Sequence, residues 1–91
     1  MVKLTKNKQA LLDYLGKDYE AKNIDMEACI YRDFGDYDIE VSGGHLKNKK
    51  VIIFLWDKRD GFHVIETVEI ENGDFESVKN ELDKLIQKHI Q

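Results

Sequence analysis

The chain has 91 residues, a net charge of −4, 42% apolar and 35% charged residues, one cysteine and no proline. That length makes one domain, 1–91, which buries only about 60–65% of its unfolded surface and has little room for a deep active-site cavity. Lone Cys29 excludes an internal disulfide, and no run approaches the ~20 apolar residues of a membrane span or follows the basic start as a signal peptide, so a soluble cytoplasmic protein with no membrane contact is expected.

With no proline available, turns must rest on Gly, Asn and Asp. The first predicted element is a helix over Lys6 to Leu15, capped by Thr5 and stopped by Gly16, with Leu11, Leu12 and Leu15 forming its apolar stripe together with Leu4. Three helical turns are marginal in isolation, so this element must dock on the rest of the chain. Lys17 to Asp25 reads as a polar connection.

From Ile24 onward the pattern alternates with period 2 and is broken at Gly35, Gly43-Gly44, Asp60-Gly61 and Asn72-Gly73. Glu27 to Asp33 reads as a strand and Phe34-Gly35-Asp36 as its turn. Tyr37 to Ser42 is a second strand, with Tyr37, Ile39 and Val41 on one face and Asp38, Glu40 and Ser42 on the other. Gly43 to Lys50 is expected as a flexible basic loop.

Val51 to Trp56 is apolar at every position, as in a central strand covered on both sides. Asp60-Gly61 favours a tight hairpin turn. With a two-residue loop, residues whose numbers sum to 121 face one another, so Trp56 meets Ile65, Phe54 meets Thr67 and Ile53 meets Val68. Val51, Ile53, Leu55, Val64, Val68 and Ile70 then share one face, and Ile52, Phe54, Trp56 and Ile65 the other; a one-residue bulge would exchange the faces beyond it.

Asn72-Gly73-Asp74 closes the sheet, and Asp74 caps a final helix striped by Phe75, Val78, Leu82, Leu85, Ile86 and Ile90. The expected fold is α+β: an α-β-β-β-β-α order in which a four-stranded antiparallel sheet carries two helices packed on one face. The aliphatic hairpin face is the expected helix side. Ile52, Phe54, Trp56 and Tyr31 would then form an apolar patch beside the acidic strand, the composition of an interaction surface.

Charge is distributed in blocks. Residues 1–23 carry five lysines against three acids, 24–46 one arginine against six acids, 47–60 five cations against two acids, and 61–91 three lysines against seven acids. Such blocks steer charged partners.

The motifs mostly dissolve on inspection. Asp33-Phe34-Gly35 spells the magnesium-binding tripeptide of protein kinases, but 91 residues cannot hold a nucleotide lobe and catalytic loop. Asp36-Tyr37-Asp38-Ile39-Glu40 opens like a calcium loop, yet Val41 and Lys47 stand where glycine and the closing glutamate are required. His45, His63 and His89 lack paired ligand spacing, and Cys29 adds only one sulfur, so no metal or cofactor is expected. Gly43-Gly44-His45 precedes no helix and is no phosphate loop. The α-β-β-β-α portion resembles a double-stranded RNA-binding domain in order, but Asp74-Phe75-Glu76 stands where a basic helix start is required.

No family resemblance is carried by specific residues. The favoured expectation is a non-enzymatic, acidic protein-binding module. Small, acidic, cysteine-poor domains are common among phage and mobile-element accessory proteins, including anti-CRISPR inhibitors, and the analogy is one of size and composition. Asp33, Asp36, Asp38 and Glu40 would occupy a basic site on a protein partner, with Tyr31, Phe54 or Trp56 as anchor. A homodimer is a further possible association. The alternatives are nucleic-acid binding through Lys47, Lys49, Lys50, Lys58 and Arg59, disfavoured by the acidic whole, and a small metal-dependent hydrolase using the β-strand carboxylates.

Overall fold

A computed structural model describes residues 3–24, 26–43, 50–71 and 74–90. The expected loop residues Gly44, His45, Lys47 and Lys49, and the Asn72-Gly73 turn, lie outside them. The elements run α1 (Lys6–Leu15), β1 (Glu20–Ile24), β2 (Glu27–Asp33), β3 (Tyr37–Gly43), β4 (Val51–Asp57), β5 (His63–Ile70), α2 (Phe75–Leu85) and a π-helical turn (Ile86–Ile90). The class is α+β, and the antiparallel sheet has five strands in the order β1-β2-β3-β4-β5.

The helix boundaries follow from their caps. Thr5 Oγ1 accepts from the Lys8 amide at 3.3 Å, and Asp74 Oδ1 accepts from the Ser77 amide at 2.9 Å, each satisfying an amide that the first turn leaves without a partner. Gly16 closes α1 at φ +98°, donating its amide to the Leu12 carbonyl.

Two expectations are corrected. The supposed connection 17–25 contains β1, which makes the sheet five-stranded rather than four-stranded. Glu-Ala-Lys-Asn-Ile lacks β-branched and aromatic residues until its last position, and its turn carries Met26 at φ +69° where glycine is the usual signal. β1 forms because β2 offers it a free ladder, with Glu20 opposite Tyr31 through Ile24 opposite Glu27.

The second correction concerns the β4–β5 hairpin. Val51 to Leu55 pair as expected with Ile70 to Glu66, but a bulge then places Val64, not Ile65, opposite Trp56. Five residues, 58–62, join the strands instead of two. Val64 therefore moves to the Trp56 face, and Ile65 becomes the extra residue of the bulge.

Ile30, Ile39, Val41, Val51, Ile53, Leu55 and Ile70 from one sheet face belong to a single buried cluster with Leu11, Val78, Leu82 and Leu85 of the helices. Ile39, Ile53 and Leu55 are wholly inaccessible. Ile86 and Ile90 of the π turn pack against the cluster, and Lys88 and His89 reach Glu66 on β5. The hydrogen bond from His89, and then Lys88, holds the Glu66 carboxyl below its ordinary pKa. The opposite sheet face is called the open face below.

One polar knot joins α1, β2 and β3. Glu27 Oε2 accepts from Lys8 Nζ at 3.0 Å, Ser42 Oγ at 2.9 Å and the Gly43 amide at 2.9 Å. Lys8 is buried and also donates to the Ala28 carbonyl. Gly43 sits at φ +81°, and a Cβ there would lie 2.5 Å from the Lys50 carbonyl oxygen, so only glycine brings its amide to Glu27. Burial pushes the Glu27 carboxyl up, but the Gly43 amide, Lys8 and Ser42 outweigh it and lower its pKa from 4.5 to about 2.

Leu82 is completely buried in α2, whereas Lys79 is half exposed. Leu82→Ala should cost roughly 2–4 kcal/mol in urea unfolding through the cavity it leaves, and Lys79→Ala under about 0.5 kcal/mol. Equal losses would show that the α2 face is misassigned. The Glu27 knot has its own pH signature: with its pKa lower in the folded state, its contribution is complete above about pH 4.5 and disappears as pH falls towards 2. Glu27→Gln should lower stability at pH 7 and flatten the loss on acidification, read from urea midpoints between pH 7 and pH 2. An unchanged acid slope would remove Glu27 from the account.

Candidate functional site

The open face is built by the even-numbered residues of β3 and β4 and by Tyr31 of β2. Cross-strand register sets Glu40 between Tyr31 and Phe54, and Asp38 between Asp33 and Trp56. Ordinary alternation exposes such acidic positions to water, but here Asp38 is only 7% exposed and Glu40 9%. Carboxylates in that position need hydrogen-bonding partners of their own.

Lys58 serves Asp38. It lies in the β4–β5 loop, where its amide donates to the Asp36 carbonyl at 2.8 Å. That anchoring carries Nζ to 2.8 Å from Asp38 Oδ1 and 2.9 Å from Asp33 Oδ1. The hydrogen bonds to Asp38 and Asp33 raise the pKa of Lys58 above that of an ordinary lysine, and Lys58 holds Asp33 below the usual carboxylate range. Asp33 also accepts the Gly35 amide at 2.7 Å. The Asp33-Phe34-Gly35 tripeptide thus ends β2 and opens the turn to β3.

Tyr31 is tied to the same group. Desolvation, then its hydrogen bond to Asp38, pushes the phenol pKa up to about 12. Lys22 of β1 places its ammonium 4.1 Å from the centre of the Tyr31 ring, a cation–π contact. Trp56 Nε1 donates to Glu40 Oε1 at 3.3 Å, and Phe62 meets the indole edge-on, with centroids 6.2 Å apart and planes at 74°. Phe62 is 66% exposed. Cys29 is buried; desolvation, then Glu27 and Glu40, push its thiol up to about 11, away from the thiolate a nucleophile requires.

An open concavity of about 390 Å³ lies among these side chains. Lys22, Asn23 and Ile24 of β1 form one wall, Trp56 and Phe62 the other, and Tyr31, Asp38 and Glu40 lie between them. A smaller hollow of about 280 Å³ lies near α2 and includes Tyr19 and Arg32. There Arg32 stacks 4.3 Å from the Phe34 ring centre, while Lys79 pairs with Asp83 at 2.9 Å, so the chain's own groups already match its charges.

The structure thus brings Tyr31, Asp38, Glu40 and Trp56 together, with half-buried Phe54 beside Glu40. Asp33 joins them only through Lys58, and exposed Asp36 stands at the β2–β3 turn, outside the concavity. Sequence reasoning did not find the β1 wall, Phe62 or the role of Lys58. The available signal was local: an aromatic directly after Asp60-Gly61 and a basic pair directly after a strand.

The described cations of the basic loops, Lys50, Lys58 and Arg59, are not a free basic patch. Lys50 pairs with Glu69 and Glu71, Lys58 with Asp33 and Asp38, and Arg59 with Asp57. The Arg59 contact holds the Asp57 carboxyl at about 2. Among the described residues no three of His, Cys, Asp and Glu are grouped to hold a metal ion, and no helix is long and apolar enough to cross a membrane. No family model matches the chain, and no curated protein or solved structure is found to match it.

Lys58→Met leaves buried Asp38 without its cation and should cost about 1–3 kcal/mol in urea unfolding. Adding Asp38→Asn should recover part of that loss. Lys50→Met, which removes exposed pairs only, should cost under ~1 kcal/mol. A Lys58→Met variant as stable as Lys50→Met would contradict this account.

Proposed function

We propose that this chain is a non-enzymatic protein-binding module whose working surface is the open face of the sheet. In this reading both helices cover the aliphatic face, and the aromatic face is left for a partner. The observation that carries it is the exposed Phe62 ring standing on Trp56 at the rim of an aromatic concavity. Large aromatic residues at the centre of an exposed apolar region are the usual anchors of an interface.

The acidic contribution is placed differently from a simple stripe of phosphate-like charges. Asp33 and Asp38 are compensated by Lys58, and Asp38 and Glu40 are walled in by aromatic rings. They act as recessed acceptors for a basic partner surface, and Tyr31, Trp56 and Phe62 supply the contact area. An inhibitor that occupies a basic site of a host protein, as phage and mobile-element accessory proteins do, fits this arrangement. The nucleic-acid reading has less support, because Lys50, Lys58 and Arg59 all hold carboxylates of the same chain.

Affinity capture from the native host tests this reading. Phe62→Asp should weaken retention of the specific partner roughly 30-fold or more, as expected for an interface anchor, with an unchanged melting curve. The triple reversal Lys47→Glu, Lys49→Glu, Lys50→Glu should have little effect. If the loop reversal abolishes capture and Phe62→Asp is silent, the open face is not the working surface.

A further inference from the structure

We propose that the open-face concavity receives one arginine side chain of a protein partner, an assignment that rests on the open face being the working surface. Its size is the first argument. At about 390 Å³ it lies at the lower end of the range for ligand sites, suiting a side chain better than a nucleotide.

Its chemistry is the second. Tyr31, Trp56 and Phe62 provide ring faces and edges, and Asp38 and Glu40 provide carboxylate oxygens, which accept hydrogen bonds and donate none. Among the described residues that line it, Asp38 and Glu40 bring two carboxylates and Lys22 one ammonium. A monocation with several donors and a flat apolar face is the complementary ligand, and a guanidinium has all three properties. A tetraalkylammonium brings charge without donors. A nucleotide brings a stacking base, but its phosphate meets two carboxylates.

Lys22 already occupies the cation position on the Tyr31 ring. Its ammonium lies 4.1 Å from the Tyr31 ring centre, on the wall of the same concavity. The chain thus uses this ring as a cation acceptor, and Lys22 is a placeholder that an incoming arginine displaces. Removing that placeholder should therefore improve binding, whereas a purely structural role for Lys22 predicts no improvement.

The full chain, labelled with ¹⁵N and with observed aromatic protons, should be titrated with N-acetyl-arginine methylamide and its neutral citrulline counterpart. Arginine should shift the Trp56 indole N–H and the Phe62 ring signals saturably, with Kd on the order of 1–10 mM, and citrulline should bind at least about tenfold more weakly. Phe62→Ala should weaken arginine binding by about fivefold, and Lys22→Met should tighten it about threefold, on the scale of single cation–π contacts. Equal binding of citrulline, stronger binding of tetramethylammonium, or displacement of arginine by adenosine at these signals would overturn the assignment. So would the lack of any saturable shift up to about 50 mM in both the wild type and Lys22→Met. If arginine fails while Phe62→Asp still abolishes partner capture, the ligand assignment falls and the open-face reading stands. If Phe62→Asp also leaves capture intact, both fall.

Discussion

The arrangement of the open face depends on how β3 disposes of two carboxylates. Asp38 and Glu40 occupy strand positions that alternate towards water, yet they are almost completely covered, with Glu40 between Tyr31 and Phe54 and Asp38 beside Trp56. Burial of a charge without compensation costs several kcal/mol, more than a small domain can spare. The compensation includes Lys58 from the β4–β5 loop, which pairs with Asp38, and the Trp56 indole from β4, which donates to Glu40. Each compensating contact also holds one part of the concavity in place, so the polar accounting of β3 and the shape of the site are one problem with one solution.

A second polar centre ties the other end of β3. Glu27 gathers Lys8, Ser42 and the Gly43 amide on a single oxygen and thereby joins α1 to the sheet. Hydrophobic burial is non-directional and leaves some freedom in how a short helix lies on a sheet. Hydrogen bonds from a buried lysine to both Glu27 and a backbone carbonyl remove much of that freedom. The same logic applies at the chain's end, where the π turn packs Ile86 and Ile90 inward while Lys88 and His89 hold Glu66.

The two sheet edges are managed differently. β1 is short, polar and half exposed, which blunts it as a template for further strand addition. β5 is longer and more exposed, and it is interrupted by the bulge at Ile65 and carries Glu66 and Glu69. The bulge has a structural effect beyond edge protection. It moves Val64 opposite Trp56 and accompanies a five-residue loop in which Phe62 meets the indole, while the Lys58 amide reaches Asp36 by continuing the β3–β4 register beyond the Tyr37–Asp57 pair.

Much of this was legible in the chain itself. Thr5, Gly16 and Asp74 mark the helix ends by local capping chemistry, the striped α2 declares its buried face through Val78, Leu82 and Leu85, alternation marks β3, and the unbroken apolar run Val51 to Trp56 marks β4. Tyr31, Asp38, Glu40 and Trp56 were also placed on one face from alternation alone, because that depends only on strand geometry and hairpin pairing. Tertiary structure decided the remainder. β1 has weak intrinsic strand preference and exists because a neighbouring ladder stabilises it. The bulge in the β4–β5 hairpin shifts the register by one residue, which cannot be read from a pattern of period 2. Burial of Asp38 and Glu40 was hidden for the same reason: composition gives the charge of a side chain, whereas its neutralisation depends on Lys58, 20 residues from Asp38 in sequence and 2.8 Å away in space.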